Sequence, residues 1–390
     1  MAFETPMTSD LAAWADEFSA KLGARAQQAE AQRRLPDATL DDAQAANFFG
    51  LLAPTSVGGA ELSFADFLDV VRRLGQGCAS SAWTLSFLAL HVWLLCKFEP
   101  ALQDELFKDG AWPLAPAPLA PTGKARKVEG GYQISGRWEW ATGINHAGWV
   151  MVNAIEDGAM GPRFCVLPLA DVVVEDVWRT AGMAATGSNT IVASDVFVPE
   201  HRTLAAVLLK FAPSPGEAVH PNTTVVYPMT ATLGLVAATP ALGAAEGALA
   251  AFTERMKAKV QAYSGAKQGE LPVTHLRLGE AIATVRAARL IWEDAVRLLE
   301  RDGHHGHQTP METLLALRLA AADIVRLANQ ATSSLAAAAG ASSGFLNVPL
   351  QRHLRDLQMM RGHVMFDWDR TAQIAGKIAL GQEPAASDLL

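Results

Sequence analysis

Between Glu217 and Glu246 the chain carries no Asp, Glu, Lys or Arg. An uncharged run of that length, apolar above all over 225–245, either crosses a bilayer or forms a helix surrounded by protein on every side. Pro228 and Pro240 interrupt the run, threonines dilute it, and alanine supplies much of the rest. No Lys/Arg cluster flanks it, as the cytoplasmic end of a membrane span favours. The run is therefore read as the central helix of a bundle, and no membrane partner is expected.

Composition supports a large buried core: 50% of the 390 residues are hydrophobic and 18% are charged. The formal charge of −8 comes with no Lys/Arg run longer than Arg33-Arg34 or Arg72-Arg73, so nucleic acid is excluded as a partner. Cys78, Cys96 and Cys165 are widely spaced and odd in number, which fits neither a disulfide framework nor a zinc knuckle. The opening MAFETPMTSD lacks the basic-then-apolar order of a secretory signal. A reduced, cytoplasmic protein is the expectation.

Three zones follow one another. Asp10 is read as the cap of a first helix and Thr39 as the cap of a second. Phe64, Phe67, Leu68, Val71 and Leu74 then recur at helical spacing, and residues 80–98 form a long apolar stretch that reads as a core helix. After prolines at 113, 116, 118 and 121 the pattern becomes short β runs, with Glu129-Gly130-Gly131 marking a hairpin between Val128 and Tyr132. Runs at 149–155, 164–169 and 191–198 complete a small antiparallel barrel or sandwich. Helical spacing returns at Ile282, Val285, Ala288, Trp292, Ala295 and Leu299, again over 311–339, and in one last stretch over 349–380. With 225–262 these make a four-helix up-and-down bundle. The expected class is α+β, mostly α, divided at 1–110, 111–215 and 216–390.

Helices, a small β domain and a helical bundle come in an uncommon order, and five stretches carry a resemblance. GLLAPTSVGGAELSFADF (50–67), CASSAWTLSFLALHVW (78–93), PTGKARKVEGGYQISGRWEWATGINHAGW (121–149), GMAATGSNTIVASDVFVP (182–199) and PLQRHLRDLQMMRGHVMFDWDRTAQIAGKIALG (349–381) are similar to the acyl-CoA dehydrogenase superfamily. Within it they resemble the branch of two-component flavin-dependent monooxygenases. APLAPTGKA stands where true dehydrogenases carry a T-E-P-x-x-G-S-D-like signature, which argues against the dehydrogenase branch.

The resemblance implies an oxygenase component that receives reduced FMN or FAD from a separate reductase. With O₂ it forms a C4a-hydroperoxyflavin and hydroxylates an aromatic or similarly electron-rich small molecule. It also implies a homotetramer. No G-x-G-x-x-G follows a strand, in keeping with a flavin that arrives already reduced. Thr142 matches the hydroxyl residue beside flavin N5, and Trp140 the aromatic packed on the isoalloxazine, while Trp138 and Trp149 read as core. His91 matches the active-site histidine that accepts a phenolic proton near neutral pH, and His363 the histidine near the flavin edge. Thr186, Ser188 and Asn189 occupy a glycine-bounded loop suited to a flavin phosphate. Asp369 lies near the position of the dehydrogenases' catalytic carboxylate. It motivates the alternative of an acyl-CoA dehydrogenase-like FAD enzyme; a non-catalytic scaffold on the same fold is a third reading. Arg355-Asp356 resembles a family helix pair and is read as serving an intra-subunit salt bridge. His304, His305 and His307 sit in a polar loop without a cysteine or carboxylate set, so no metal is expected.

Overall fold

The computed structural model describes residues 8–156, 158, 159, 161–260, 265, 267–385, 388 and 390. The first zone holds α1 (Thr8–Gln32), α2 (Asp37–Ala45), α3 (Phe64–Gly77), α4 (Ala79–Leu95) and α5 (Pro100–Phe107). Two expected caps are corrected: Asp10 lies in the first turn of α1, and Thr39 is buried inside α2, which starts directly after Pro36. Pro36 sets that start because its φ of −59° and ψ of 144° are pre-shaped to enter a helix. Ser63 caps α3 by accepting from the Asp66 N–H at 3.0 Å.

The middle zone contains β1 (Gly123–Val128), β2 (Gly131–Ala141), β3 (Trp149–Glu156), β4 (Pro162–Pro168), β5 (Val173–Glu175), β6 (Asn189–Pro199) and β7 (Thr203–Ala205). They form one sheet in the order β5-β6-β2-β1-β3-β4-β7. The sheet is mixed rather than antiparallel, because β1 pairs with β3 in parallel at Gly123–Ala154 while every other pairing is antiparallel. The three-residue strands β5 and β7 are too short to show an alternation, so the sequence pattern did not reveal them. The sheet curls over its own core. The Arg163 guanidinium of β4 lies 4.5 Å from the ring centre of Tyr132 on β2, with two strands between them, and Trp138 of β2 donates to the Asn153 carbonyl of β3 at 2.7 Å.

The last zone begins with the one-turn α6 (Pro215–Val219) and continues through α7 (Met229–Ala258), α8 (Pro272–Asp302), α9 (Met311–Ala339), α10 (Pro349–Met360) and α11 (Trp368–Ala379). The uncharged run becomes α7, wholly buried from Ala231 to Ala245 and packed against α3, α4, α8, α9 and α10. Each buried Leu or Val there contributes about 1.5–3 kcal/mol relative to exposure. Pro240 cannot donate inside the helix, and the Thr239 hydroxyl there donates to Leu235 O at 2.8 Å while accepting from the Trp292 indole at 2.9 Å. Gly75 and Gly243 meet where α3 crosses α7; a Cβ on either would strike the other helix. The first charge after the run, Glu246, is half-buried and bound by Arg72 at 2.6 Å, by Gln76 at 2.9 Å and by Arg289.

Two details depart from expectation. Ile282 is exposed on α8, the buried position being Ala281. The single last stretch is two helices, broken at 361–367, because Gly362 follows α10 and the Asp367 carboxylate caps α11 by accepting from the Arg370 N–H at 3.1 Å.

Candidate active site

Helix α4 is apolar all round, but one of its faces is aromatic. Trp83, Phe87 and His91 follow at intervals of four, so they stack along one side of the helix. Trp83 and Phe87 rings lie 4.7 Å apart and stacked, and Phe87 meets His91 edge-on at 5.6 Å. Aromatic pairs of this geometry are worth about 0.5–1.5 kcal/mol beyond area burial, which fixes the ring orientations. At its other end the stripe reaches the break between α10 and α11: His363 lies 5.7 Å from Trp83, and Phe366 packs on both. One aromatic wall thus joins the two histidines expected to act together.

Their states differ. His91 is 1% exposed, and neither Nδ1 nor Nε2 has a hydrogen-bond partner among the described residues. Burial pushes its pKa down to about 3, so the ring is neutral at pH 7. The expectation of an ordinary histidine titrating near neutrality is corrected; the neutral form is held in place by desolvation. His363 is half-buried, and its Nδ1 accepts from the Met365 N–H at 3.3 Å. Burial first and the nearby Arg318 guanidinium second hold its pKa below the usual value. The neutral ring with Nδ1 accepting carries its proton on Nε2, which makes His363 a donor.

The adjoining face of α4, at Thr84 and Leu88, abuts the end of strand β2. A bulge places Glu139 and Trp140 opposite Thr190 alone, with Trp140 at φ 69° and its side chain 64% exposed. A large ring held outward by a left-handed backbone at a strand end offers a platform for a flat ligand. Gly143, at φ 77°, lies so close to Thr84 and Leu88 of α4 that a Cβ would sit 3.1 Å from the Thr84 methyl; its N–H donates to Thr186 O at 2.9 Å. The hairpin end and the 183–188 loop are thereby joined beside α4.

Thr142 and Ser188 hydroxyls lie 2.9 Å apart, Ser188 and Thr186 hydroxyls 2.8 Å, and Thr186 donates to Met183 O at 2.9 Å. Asn189 accepts from the Val177 and Trp178 N–H groups and donates to Asn145. Thr186, Ser188 and Asn189 are each less than 5% exposed, with their side chains committed to protein neighbours. The expectation that these groups bind a phosphate is corrected: they form the layer behind Thr142. Asp369 stands exposed on the first turn of α11, where a carboxylate favours the helix dipole. It lies outside the aromatic wall.

Sequence reasoning missed two contributors. Asp356 on α10 is fully buried and accepts from the Met183 N–H at 2.6 Å and the Ser80 hydroxyl at 3.1 Å, tying the 183–188 loop to α4; burial pushes its pKa up to about 6. Its neighbour Arg355 makes the expected intra-subunit salt bridge, to Glu30 at 2.6 Å, while Asp356 binds the Met183 N–H and the Ser80 hydroxyl. Trp83 and Phe87 were the second omission, hidden inside a uniformly apolar stretch.

Comparison with known proteins decides the family. Residues 5–103 match the acyl-CoA dehydrogenase N-terminal domain, and residues 235–368 match the acyl-CoA dehydrogenase C-terminal domain. The oxygenase component of p-hydroxyphenylacetate 3-hydroxylase from Acinetobacter baumannii is 32% identical over 371 residues, spanning 93% of this chain and 87% of the relative. The chain belongs to the flavin-dependent monooxygenases of the acyl-CoA dehydrogenase fold. Among solved structures, the HsaA monooxygenase from M. tuberculosis superposes with a TM-score of 0.91 at 29% identity, covering 99% of this chain and 100% of the other. XiaF from Streptomyces sp., in complex with FADH2 and glycerol, gives a TM-score of 0.90 at 29% identity over 97% of each chain. The monooxygenase works with reduced flavin, and O₂ is its co-substrate.

The residues present fit such a group. A flavin ring needs a flat apolar surface, which Trp140 offers, and a hydroxyl at its N5 edge, which Thr142 offers beside the bulge. The partnerless nitrogens of His91, buried at the end of an aromatic wall, supply polar groups that a ligand hydroxyl would complete.

Proposed function

We propose that this monooxygenase hydroxylates a small phenol, held between the His91–Phe87–Trp83 wall and a flavin seated against Trp140 and Thr142. The observation that carries the reading is His91: a neutral imidazole, buried, with both nitrogens free, at the end of a row of aromatic rings. A buried polar group without a partner costs about 1–3 kcal/mol, a cost that a ligand hydroxyl removes. The hydroxyphenylacetate hydroxylase among the relatives supports the substrate class.

Bound reduced flavin supplies the electrons that activate O₂, and one atom of the O₂ goes to the substrate. The chain's own residues do the rest. The phenol hydroxyl donates to a free nitrogen of His91, and the neutral imidazole, as acceptor, draws that proton toward itself as the phenol reacts, which raises electron density on the aromatic carbons. His363 presents Nε2–H from the far end of the wall as a donor for an oxygen atom. Thr142 would hold a bound flavin at its N5 edge, offering its hydroxyl oxygen to the proton there. Trp83, Phe87 and Phe366 line the wall with apolar surface and keep water from the reacting groups.

The dehydrogenase alternative required an inward carboxylate at Asp369, and that residue is exposed. The separate reductase follows from the same reading. A homotetramer and a cytoplasmic location are proposed with it, supported by the exposed apolar side chains of Phe345, Leu346 and Leu380, by three free buried cysteines, and by α7 being enclosed in the bundle. Photoreduced FMN or FAD bound to the protein and mixed with O₂ across a panel of phenols tests the function. A product 16 mass units heavier, with less peroxide released, is expected for at least one phenol. Peroxide yields unchanged by every phenol, together with no oxygenated product, overturn the substrate class.

A further inference from the structure

The hydroxyl row Thr142–Ser188–Thr186 has a fixed direction. A carbonyl oxygen has no proton, so the 2.9 Å contact between Thr186 Oγ1 and Met183 O uses the Thr186 proton. Thr186 Oγ1 then has only lone pairs to offer Ser188 at 2.8 Å, and Ser188 must donate. With its single proton placed, Ser188 can only accept from Thr142 at 2.9 Å. The Thr142 proton thus points inward, and the face that Thr142 turns away from Ser188 carries lone pairs alone. Thr186 and Ser188 are buried at 2% and 4% exposure, so water does not scramble the order. The carbonyl at the root is held as well: Met183 O also accepts from the Trp178 indole at 3.0 Å and the Thr186 N–H at 3.1 Å, and the Met183 N–H is bound by Asp356 at 2.6 Å.

Resting on the placement of Thr142 beside flavin N5, we infer that Ser188 and Thr186 are positioning residues that make Thr142 an obligate acceptor and so select the redox state of the flavin. Reduced flavin carries a proton on N5 and donates to Thr142. Oxidised flavin presents a bare N5 lone pair, which meets the lone pairs of Thr142. One hydrogen bond is gained in the first case and a repulsion in the second. The spent cofactor is thereby released and the reduced one retained, without any movement of the backbone.

The test measures dissociation constants for oxidised FMN and FAD in air, and for their photoreduced forms anaerobically, by calorimetry. In Ser188→Ala the Thr142 proton loses its inward acceptor and can turn outward. The preference for reduced over oxidised flavin should fall about tenfold, the scale of one hydrogen bond, with tighter binding of the oxidised form. Thr186→Val keeps the shape, leaves Met183 O with two other donors, and frees Ser188 to donate to Thr142. That reverses the row, so the preference should fall at least as far. Ser188→Thr retains the hydroxyl and should restore the wild-type preference, which a merely structural defect would not do. Thr142→Val separates the two ideas. If it weakens reduced-flavin binding while Ser188→Ala and Thr186→Val keep the wild-type preference, the directional row is wrong and the N5 placement stands. If Thr142→Val leaves both affinities unchanged, the N5 placement itself is wrong.

Discussion

Two adjoining faces of α4 treat polar groups in opposite ways. On one side His91 keeps both ring nitrogens unpartnered inside an aromatic wall; on the other every hydroxyl proton of Thr142, Ser188 and Thr186 has an assigned acceptor. An unpartnered buried group is a place where a ligand gains free energy by arriving, since it removes a desolvation cost already present. A fully partnered row gains nothing from flexibility and instead presents one fixed pattern of lone pairs. The first side suits a substrate that brings its own proton, the second a cofactor whose proton content changes.

The sharpest way to break this contrast is at the open side. His91→Gln should lower single-turnover hydroxylation about 100-fold, the low end of what a positioned base contributes, while reduced-flavin affinity stays within about twofold. Rapid-quench product analysis checks it, and near-wild-type hydroxylation would mean that the phenol proton goes elsewhere. At the closed side, Thr142→Val should cut oxygenated product per flavin oxidised about tenfold, the scale of one lost hydrogen bond. Peroxide should account for the difference, and a peroxide assay coupled to product mass reads it directly.

Acid stability sharpens the same comparison. His91 has a native pKa near 3 against about 6.5 unfolded, so between roughly pH 6 and pH 4 the unfolded chain binds one more proton at this site. Its contribution is present above pH 6.5 and is lost as pH falls toward the native value. In His91→Gln the unfolding free energy should therefore fall less steeply, by about 1.4 kcal/mol per pH unit, in chemical denaturation series. An unaltered slope would show that His91 is hydrated rather than dry. The smallest effect is expected at Asp369: Asp369→Asn should change turnover less than about twofold, since surface substitutions rarely exceed about 0.5 kcal/mol. A large loss there would revive a catalytic role for that carboxylate.

Much of the molecule was legible in advance for local reasons. The uncharged run 218–245 announced a surrounded helix, because charge is excluded wherever all faces are buried, and α7 is that helix. Glu129-Gly130-Gly131 announced the β1–β2 hairpin through its turn chemistry, and Gly130 takes φ 75° there. The break between α10 and α11 was also written, in Gly362 and Asp367, but the apolar spacing on either side obscured it. The aromatic face of α4 stood in the sequence as Trp83, Phe87 and His91 at helical spacing. In a helix apolar on every side, periodicity does not single out one face.

The order of helices, strands and helices, the central buried helix and the identity of His91, Thr142 and His363 as candidates came from the sequence, because each depends on neighbours within a turn or a hairpin or on a motif resemblance. Tertiary packing alone decided that β1 runs parallel to β3, that Asp369 faces outward, that Asp356 grips the Met183 backbone, and that the Ser188 and Thr186 hydroxyls turn toward Thr142 rather than toward a phosphate. These outcomes join residues tens to hundreds of positions apart. Hydrogen-bond direction and burial are properties of the surroundings, and the surroundings exist only once the chain has closed on itself.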